Sequence, residues 1–146
     1  MDGCIFCKIV TGEAPAIVVY EDDLVLAFLD IRPIVAGHTL VIPKTHSATL
    51  DHLDPDLAAD VFRVGHLLAR ALRRSELGSD GANLLINDGR AAFQTVHHTH
   101  LHVVPRKHRD IVQFGIGFVT RRPRGREQVA AHIREGIQRL NAEDAQ

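Results

Sequence analysis

The ten residues VHHTHLHVVP, at positions 96–105, decide how the rest of this chain is interpreted. Their β-branched and apolar content, closed by a proline, predicts a short strand. Because side chains alternate along a strand, His98, His100 and His102 are expected to share one face, with apolar packing on the other. An imidazole serves near neutral pH as nucleophile, proton carrier or metal ligand. The stretch therefore predicts a reaction surface, against the alternative of three satisfied or solvent-facing histidines on an edge strand.

The overall composition is that of an ordinary globular protein. The chain has 146 residues, which predicts one domain over residues 1–146, with 45% hydrophobic and 24% charged residues. A net charge of -1 argues against bulk electrostatic binding to nucleic acid or to an anionic membrane. No apolar run has transmembrane length, and Met1 is followed by Asp2 and not by a basic segment and an apolar stretch. We therefore expect a cytoplasmic protein with neither nucleic acid nor membrane as its partner.

The first half of the chain predicts one short helix and three strands. Residues 4–10 form the helix, and residues 17–20 and 24–30 form two strands joined by a turn of acidic residues. On the second strand, Leu24, Leu26 and Phe28 share a face with Asp30, a carboxylate at the end of an apolar row. Residues 38–43, HTLVIP, predict the third strand.

The second half predicts two longer helices and a hairpin. Asp54-Pro55 is a good helix start, and apolar residues at helical spacing continue to about Arg74. Residues 82–87 predict a strand that pairs with the histidine strand. Residues 106–125 are expected to be loop, residues 126–140 helix, and the last six residues to fray.

This order of elements favours an α+β fold with an antiparallel sheet. The glycines match neither G-x-G-x-x-G nor G-x-x-x-x-G-K-[ST]. Any phosphate site must therefore be built from side chains and strand-edge amides.

Cys4 and Cys7 form a Cys-x-x-Cys pair at the N-terminus. A redox role would be expected within a βαβ unit, which does not surround this pair. As zinc ligands, two thiolates need two further side chains.

Several segments resemble the histidine triad (HIT) family in its nucleotide-binding branch. His98-Thr99-His100-Leu101-His102-Val103-Val104 resembles the family signature His-φ-His-φ-His-φ-φ, where φ is apolar, although Thr99 is more polar than the pattern prefers. CIFCKI, YEDD, AFLDIRP, GHTLVIPK and INDG resemble further segments in the same order, so that the likeness covers about residues 4–105. Residues 106–146 match loosely. The resemblance implies a five-stranded antiparallel sheet with helices packed on it, paired into a two-fold homodimer.

The resemblance also implies a reaction. In this family the middle histidine, here His100, attacks the α-phosphorus of a nucleotide conjugate and forms a nucleotidyl-histidine that water hydrolyses. His102 matches the histidine that binds the α-phosphate, and His38 matches one that orders the triad. Either His98 or a main-chain carbonyl would hold the neutral tautomer of His100. Other matching positions are Thr95 near the leaving group and Gln94 and Asn87 beside the phosphate.

The remaining implied contacts are to the nucleoside. Asp30 matches the carboxylate that accepts both ribose hydroxyls. An apolar slot for the base, which discriminates little between AMP and GMP conjugates, matches Ile5, Phe6, Ile9, Phe28 and Ile31.

Some bacterial members with an N-terminal Cys-x-x-Cys bind a structural zinc, and the matching ligands here are Cys4, Cys7, His46 and His98. A zinc ligand cannot also be a proton relay, so the resemblance makes two incompatible demands on His98. The dimer contact is expected on the helix of residues 56–74 and the strand of residues 82–87.

A purine nucleoside phosphoramidase that releases AMP or GMP is the favoured function. The alternatives are a dinucleoside polyphosphate hydrolase, a non-catalytic nucleotide-binding or scaffold protein, and a metalloenzyme that uses the three histidines as ligands. Basic residues of the C-terminal part are interpreted as a solvated face, with contact to a polyphosphate leaving group as the alternative: Arg106, Lys107, Arg109, Arg121, Arg122, Arg124 and Arg126.

Overall fold

The predicted antiparallel sheet is present in the computed structural model, which describes residues 3–146. Five strands are ordered β1-β2-β3-β5-β4, and each neighbouring pair is antiparallel. The strands are β1 (Val18–Glu21), β2 (Val25–Leu29), β3 (Thr39–Pro43), β4 (Gly81–Ile86) and β5 (Leu101–Arg106). The expected hairpin between the last two strands is confirmed, and it leaves β1 and β4 as the edges.

Four α-helices accompany the sheet. They are α1 (Ile5–Val10), α2 (Pro55–Arg74), α3 (Ile111–Thr120) and α4 (Arg126–Asp144). The start of α2 is as predicted, because the Asp54 side chain accepts hydrogen bonds from the amides of Asp56 and Leu57 and Pro55 occupies the first turn.

Alternation along β2 divides the core between the two faces of the sheet. Val25 and Ala27 belong to the cluster that α2 and α4 complete, whereas Leu26 and Phe28 belong to a smaller cluster with Phe6 of α1. Burial of both faces explains why β2 and β3 are apolar throughout. The short helix α1 is thereby fixed over the second face of the sheet.

The prediction of a strand over residues 96–105 is wrong in its first half, because β5 begins only at Leu101. Pairing between β3 and β5 ends with Val41 opposite Leu101. Before that point the main chain bends, and the amide of Thr99 donates to the carbonyl of Ser47 at 2.6 Å instead of to a strand. His98 and His100 therefore lie on irregular backbone.

Two expectations for the C-terminal part are also wrong. Residues 106–125 contain the helix α3, which simple periodicity misses because its apolar residues do not follow a single stripe. The last residues do not fray after Leu140, since α4 continues to Asp144. Its final turn is held by two ion pairs to α2. Asp144 pairs with Arg70, and Glu143 pairs with Arg74.

None of the helices within residues 3–146 is both long and apolar enough to cross a membrane.

Candidate functional site

The three histidines of the motif gather on the side of the sheet that α1 covers. The Phe6 ring lies edge-on to the rings of His98 and His100, with centroids 5.8 Å and 5.2 Å away. The rings of His100 and His102 are 4.8 Å apart. Leu101 and Val103 pack into the cluster on the opposite face. The predicted common face is thus confirmed, although two of the three residues precede the strand.

His100 presents its Nε2 atom without a proton. Its Nδ1–H donates to the main-chain carbonyl of His98 at 2.7 Å, which assigns the proton to Nδ1 and the lone pair to Nε2. Burial lowers the pKa of His100 below its usual 6.5, while the hydrogen bond to His98 and the charge of Asp30 oppose the shift. The ring is therefore neutral at pH 7, and a main-chain carbonyl holds its tautomer.

His38 and His102 are linked by hydrogen bonds that place the proton of His102 on Nε2, whereas the proton of His100 is on Nδ1. The amide of Ile34 donates to His38 Nδ1 at 3.1 Å, so that the proton of His38 lies on Nε2, which is 2.9 Å from His102 Nδ1. His102 must then carry its own proton on Nε2. That buried atom has no hydrogen-bond partner within the described residues. His102 accordingly offers an unused N–H donor beside the lone pair of His100.

Burial keeps both His38 and His102 neutral. It lowers the pKa of His38 to about 4 and that of His102 to about 3. The positive charge of Arg121 lowers both values further, and the charge of Asp30 raises them. Asp30 Oδ2 is 3.6 Å from His38 Nε2, so the carboxylate lies next to this pair of histidines.

His98 has both ring nitrogens committed away from His100. Its Nε2–H donates to the carbonyl of Pro43 at 2.8 Å. Its Nδ1 faces Cys4 Sγ at 3.5 Å, Cys7 Sγ at 3.7 Å and His46 Nδ1 at 3.3 Å. Of the two roles considered for His98, this geometry favours the metal ligand over the proton relay.

The four side chains matched to a zinc site are brought together. Cys7 Sγ is also 3.3 Å from His46 Nδ1, and the four ligand atoms all lie within 4.8 Å of one another. A tetrahedral zinc with Zn–S of about 2.3 Å and Zn–N of about 2.05 Å needs S–N edges of about 3.6 Å and an N–N edge of about 3.3 Å. The donor set and its spacing therefore fit this metal.

The apolar residues matched to the base slot divide into buried and exposed members. Phe6 and Phe28 are buried and their rings meet at 5.5 Å, and Ile9 packs against them. Ile5 and Ile31 are exposed.

The polar residues matched to the phosphate have unequal freedom. Gln94 is buried, and its amide donates to the carbonyls of Ala48 and Val96 and accepts from the amide of Gly89. Gln94 therefore holds the loops, with no donor left over. Thr95 is exposed in a cleft that also includes Cys4, Ile5 and His46, and Asn87 is half-buried directly after β4.

Two features of the site were missed by sequence reasoning. No sequence signal indicates that the amide of Ile34 fixes the tautomer of His38. Arg121 follows α3, in the stretch expected to be loop. The sequence singled it out as one of several basic residues and did not predict that its charge acts on His38 and His102. By contrast Arg106 pairs with Asp110 and donates to Asn83, which makes it structural.

A five-stranded antiparallel sheet with His98, His100 and His102 gathered on one face is the arrangement of the histidine triad class of proteins. The sequence model of the HIT domain matches residues 11–109. The chain belongs to the HIT family.

Known members agree with the fold and with the cluster. A zinc-bound histidine triad protein from Mycobacterium smegmatis superposes with a TM-score of 0.90 and 48% identity, over 97% of this chain and 98% of that one. An adenylylsulfatase from Arabidopsis thaliana is 46% identical over 107 residues, which are 73% of this chain and 54% of that protein. An adenosine 5′-monophosphoramidase from Candida albicans is 39% identical over 118 residues, 79% of this chain and 77% of that protein.

Proposed function

We propose that this protein hydrolyses nucleotide conjugates at the α-phosphate through a nucleotidyl-His100 intermediate, and that its substrates are purine nucleoside phosphoramidates. The observation that carries the proposal is the pair of opposite tautomers in the site. His100 offers a lone pair at Nε2, and His102 offers a buried N–H with no partner in the described structure. The relatives named as an adenosine 5′-monophosphoramidase and an adenylylsulfatase support the same class of reaction.

The reaction needs two displacements at phosphorus. His100 Nε2 gives its electron pair to the α-phosphorus, an N–P bond forms, and the bond to the leaving amine breaks as that amine takes up a proton from the solvent. Water then attacks the same phosphorus and gives up a proton to the solvent, and the N–P bond breaks to release the nucleoside monophosphate and the free imidazole. His102 Nε2–H donates to a phosphoryl oxygen where negative charge develops, and we assign the exposed hydroxyl of Thr95 to the leaving group.

The nucleoside is held away from the reacting atoms. Asp30 accepts the ribose hydroxyls, and the base lies over Phe6 and Phe28 between the exposed side chains of Ile5 and Ile31. Asn87 lies beside the phosphate, whereas Gln94 acts indirectly by holding the loop that carries Thr95.

The test is to trap the covalent intermediate. Wild-type protein is mixed with adenosine or guanosine 5′-phosphoramidate, quenched with alkali within milliseconds to seconds, and analysed by mass spectrometry. We expect a nucleotidyl adduct on His100, no adduct in His100→Gly, and an unchanged adduct in His97→Ala, which removes an exposed neighbouring histidine. Absence of both adduct and turnover across a panel of phosphoramidates contradicts the proposal, and faster turnover of a dinucleoside polyphosphate would reassign the substrate class.

We further propose that Cys4, Cys7, His46 and His98 hold a structural zinc. Without a metal, burial and then the neighbouring Cys4 thiol raise the pKa of Cys7, so a divalent cation is needed to keep Cys7 as a thiolate. When bound, zinc supplies a four-coordinate crosslink with no open position for chemistry. It would tie α1 to the bend that carries His98, whose carbonyl accepts the hydrogen bond from Nδ1–H of His100.

The metal is tested by its content and its spectrum. Purified wild-type protein is expected to hold about one zinc per chain and, after replacement by Co²⁺, to show the absorption bands of tetrahedral S₂N₂ coordination. Cys4→Ser/Cys7→Ser is expected to lose the metal and to unfold at lower temperature, whereas His97→Ala keeps both properties. A zinc content unchanged in the double variant contradicts the assignment.

A further inference from the structure

A cavity of about 560 Å³ lies between the β2–β3 connection, α3 and the start of α4. Its volume is within the range of small-molecule sites. Residues 33–37 form one wall, and Gln113, Ile116 and Thr120 of α3 form another. The third wall is basic and consists of Arg122, Arg124 and Arg126.

These arginines are not neutralised by the protein. Within residues 3–146, the ion pairs include none made by Arg121, Arg122, Arg124 or Arg126, whereas Arg70, Arg74 and Arg106 each pair with a carboxylate. Nε of Arg126 is buried and lacks any partner in the described structure. Burying a guanidinium N–H without an acceptor is costly, so this donor favours an anion that binds from outside the chain.

The cavity adjoins the histidine site. Asp30 and His38 line it, and the same two residues form a cluster with His102. Asp30 is the one acidic residue of the lining, and its Oδ1 already accepts from the amide of Arg32. The positive charge therefore dominates the cavity, and a ligand there lies beside the group proposed to bind the ribose.

We propose that this cavity is a second phosphate subsite, in which Arg122, Arg124 and Arg126 bind a phosphate-type anion next to Asp30. Guanidinium groups suit this ligand because their N–H donors match phosphate oxygens in pairs. The anion comes from one of two sources: a phosphate ester on the ribose of the bound nucleotide, or a separate phosphate or pyrophosphate ion.

The site itself is tested with pyrophosphate, titrated calorimetrically into the full-length protein. Arg124→Gln/Arg126→Gln is compared with Arg73→Gln/Arg139→Gln, which removes the same charge from surfaces of α2 and α4 outside the cavity lining. We expect wild type and the control to bind alike and the cavity variant to bind at least about tenfold more weakly. Equal affinities in the two double variants overturn the proposal. Arg122→Gln, on the exposed connection, is the second cavity variant should the double variant unfold.

The source is decided by comparing AMP with adenosine 3′,5′-bisphosphate. If the anion is carried by the ribose, the bisphosphate binds at least about tenfold more tightly than AMP, and this gain disappears in Arg124→Gln/Arg126→Gln. If the anion is separate, pyrophosphate binds with the same affinity when AMP is saturating. Finding neither pyrophosphate binding nor a gain from the second phosphate overturns the subsite.

The ribose arm rests on the proposed function, because it assumes that Asp30 holds the sugar, in the bisphosphate through the 2′-hydroxyl that the 3′-phosphate leaves free. The pyrophosphate arm does not. A protein that binds pyrophosphate through the arginines and yet forms no nucleotidyl adduct would retain the subsite and lose the proposed reaction, so the two failures are distinguishable.

Discussion

His100 and His102 are the same amino acid on one surface, yet their neighbours protonate them at opposite nitrogens. The carbonyl of His98 accepts from Nδ1 of His100, whereas Nε2 of His38 donates to Nδ1 of His102. One ring therefore presents a lone pair and the other an N–H. Nucleophilic attack on a phosphate needs both, because the entering electron pair adds negative charge to the phosphoryl oxygens.

The buried histidine chain predicts a loss of stability in acid. The pKa of His38 is about 4 in the folded protein, against a usual 6.5, so below pH 6.5 the unfolded chain takes up a proton that the folded chain does not. The contribution of His38 to the free energy of unfolding is complete above pH 6.5 and is lost as the pH falls towards 4. Between pH 7 and pH 4.5 the effect amounts to about 2 kcal/mol.

The measurement compares urea unfolding of wild type and His38→Asn at both pH values. Asparagine keeps an acceptor for the amide of Ile34 but does not titrate. We expect the variant to be less stable at pH 7 and to lose less free energy of unfolding on acidification. Other groups that titrate, His102 and the cysteine–histidine cluster included, are present in both proteins. Equal losses in the two proteins would show that His38 is not neutral in the fold.

At the scale of the element, α3 depends on one glycine. A Cβ built on Gly117 would collide with the carbonyl oxygen of Ile34, while one built on Gly115, a half-turn away, meets nothing within 4 Å. Close approach of the helix to the β2–β3 connection is thus possible only without a side chain at position 117. This approach closes one wall of the arginine-lined cavity.

The two glycines form a matched pair of variants. Gly115→Ala is expected to stabilise α3 by up to about 1 kcal/mol, since alanine favours helix. Gly117→Ala gains the same propensity but forces the helix away from Ile34, so the amides of residues 111–120 are expected to exchange faster with deuterium. Slower exchange in both variants would mean that α3 does not pack against this connection.

At the scale of the whole molecule, the edge strand β4 and the neighbouring α2 leave apolar side chains uncovered. Leu85 on β4 is 41% exposed and Phe62 on α2 is 60% exposed. Among the strands of residues 3–146, β4 pairs only with β5, so its outer edge presents main-chain donors and acceptors that no strand of this part of the chain uses. An apolar open edge favours association with a second copy, in agreement with the predicted two-fold dimer.

Sedimentation distinguishes the candidate surfaces. We expect the wild type to sediment as a dimer, at twice the 16.1 kDa of the chain, and Phe62→Glu to sediment as a monomer. Phe118→Glu is the control, because Phe118 on α3 is also 60% exposed but lies on another element. If Phe118→Glu dissociates the dimer and Phe62→Glu does not, the interface is on α3. A monomeric wild type at micromolar concentration contradicts the dimer.

Much of the fold was predictable because its signals are local. Alternation along β2, the Asp54-Pro55 start of α2 and the paired strands at the end of the sheet follow from spacing alone. The helix α3 was not predictable, since its apolar residues lie on all sides of the helix and its glycines resemble those of a loop. The start of β5 was not predictable either, because it depends on where β3 stops pairing and on a hydrogen bond from the amide of Thr99 to the carbonyl of Ser47.

The sequence by itself determined the sheet and its apolar strands, because the period of a strand fixes which side chains share a face. It also predicted three histidines on one surface, although two of them precede β5 and are placed there by the bend of the main chain. Only the tertiary structure decided what each histidine does. Cys4 and His98 are 94 positions apart, and the carbonyls and amides that assign the ring protons belong to Pro43, His98 and Ile34. Such contacts arise from packing, on which sequence periodicity carries no information. They leave one histidine facing two cysteines and His46, one with a lone pair at Nε2 and one with an N–H donor at Nε2.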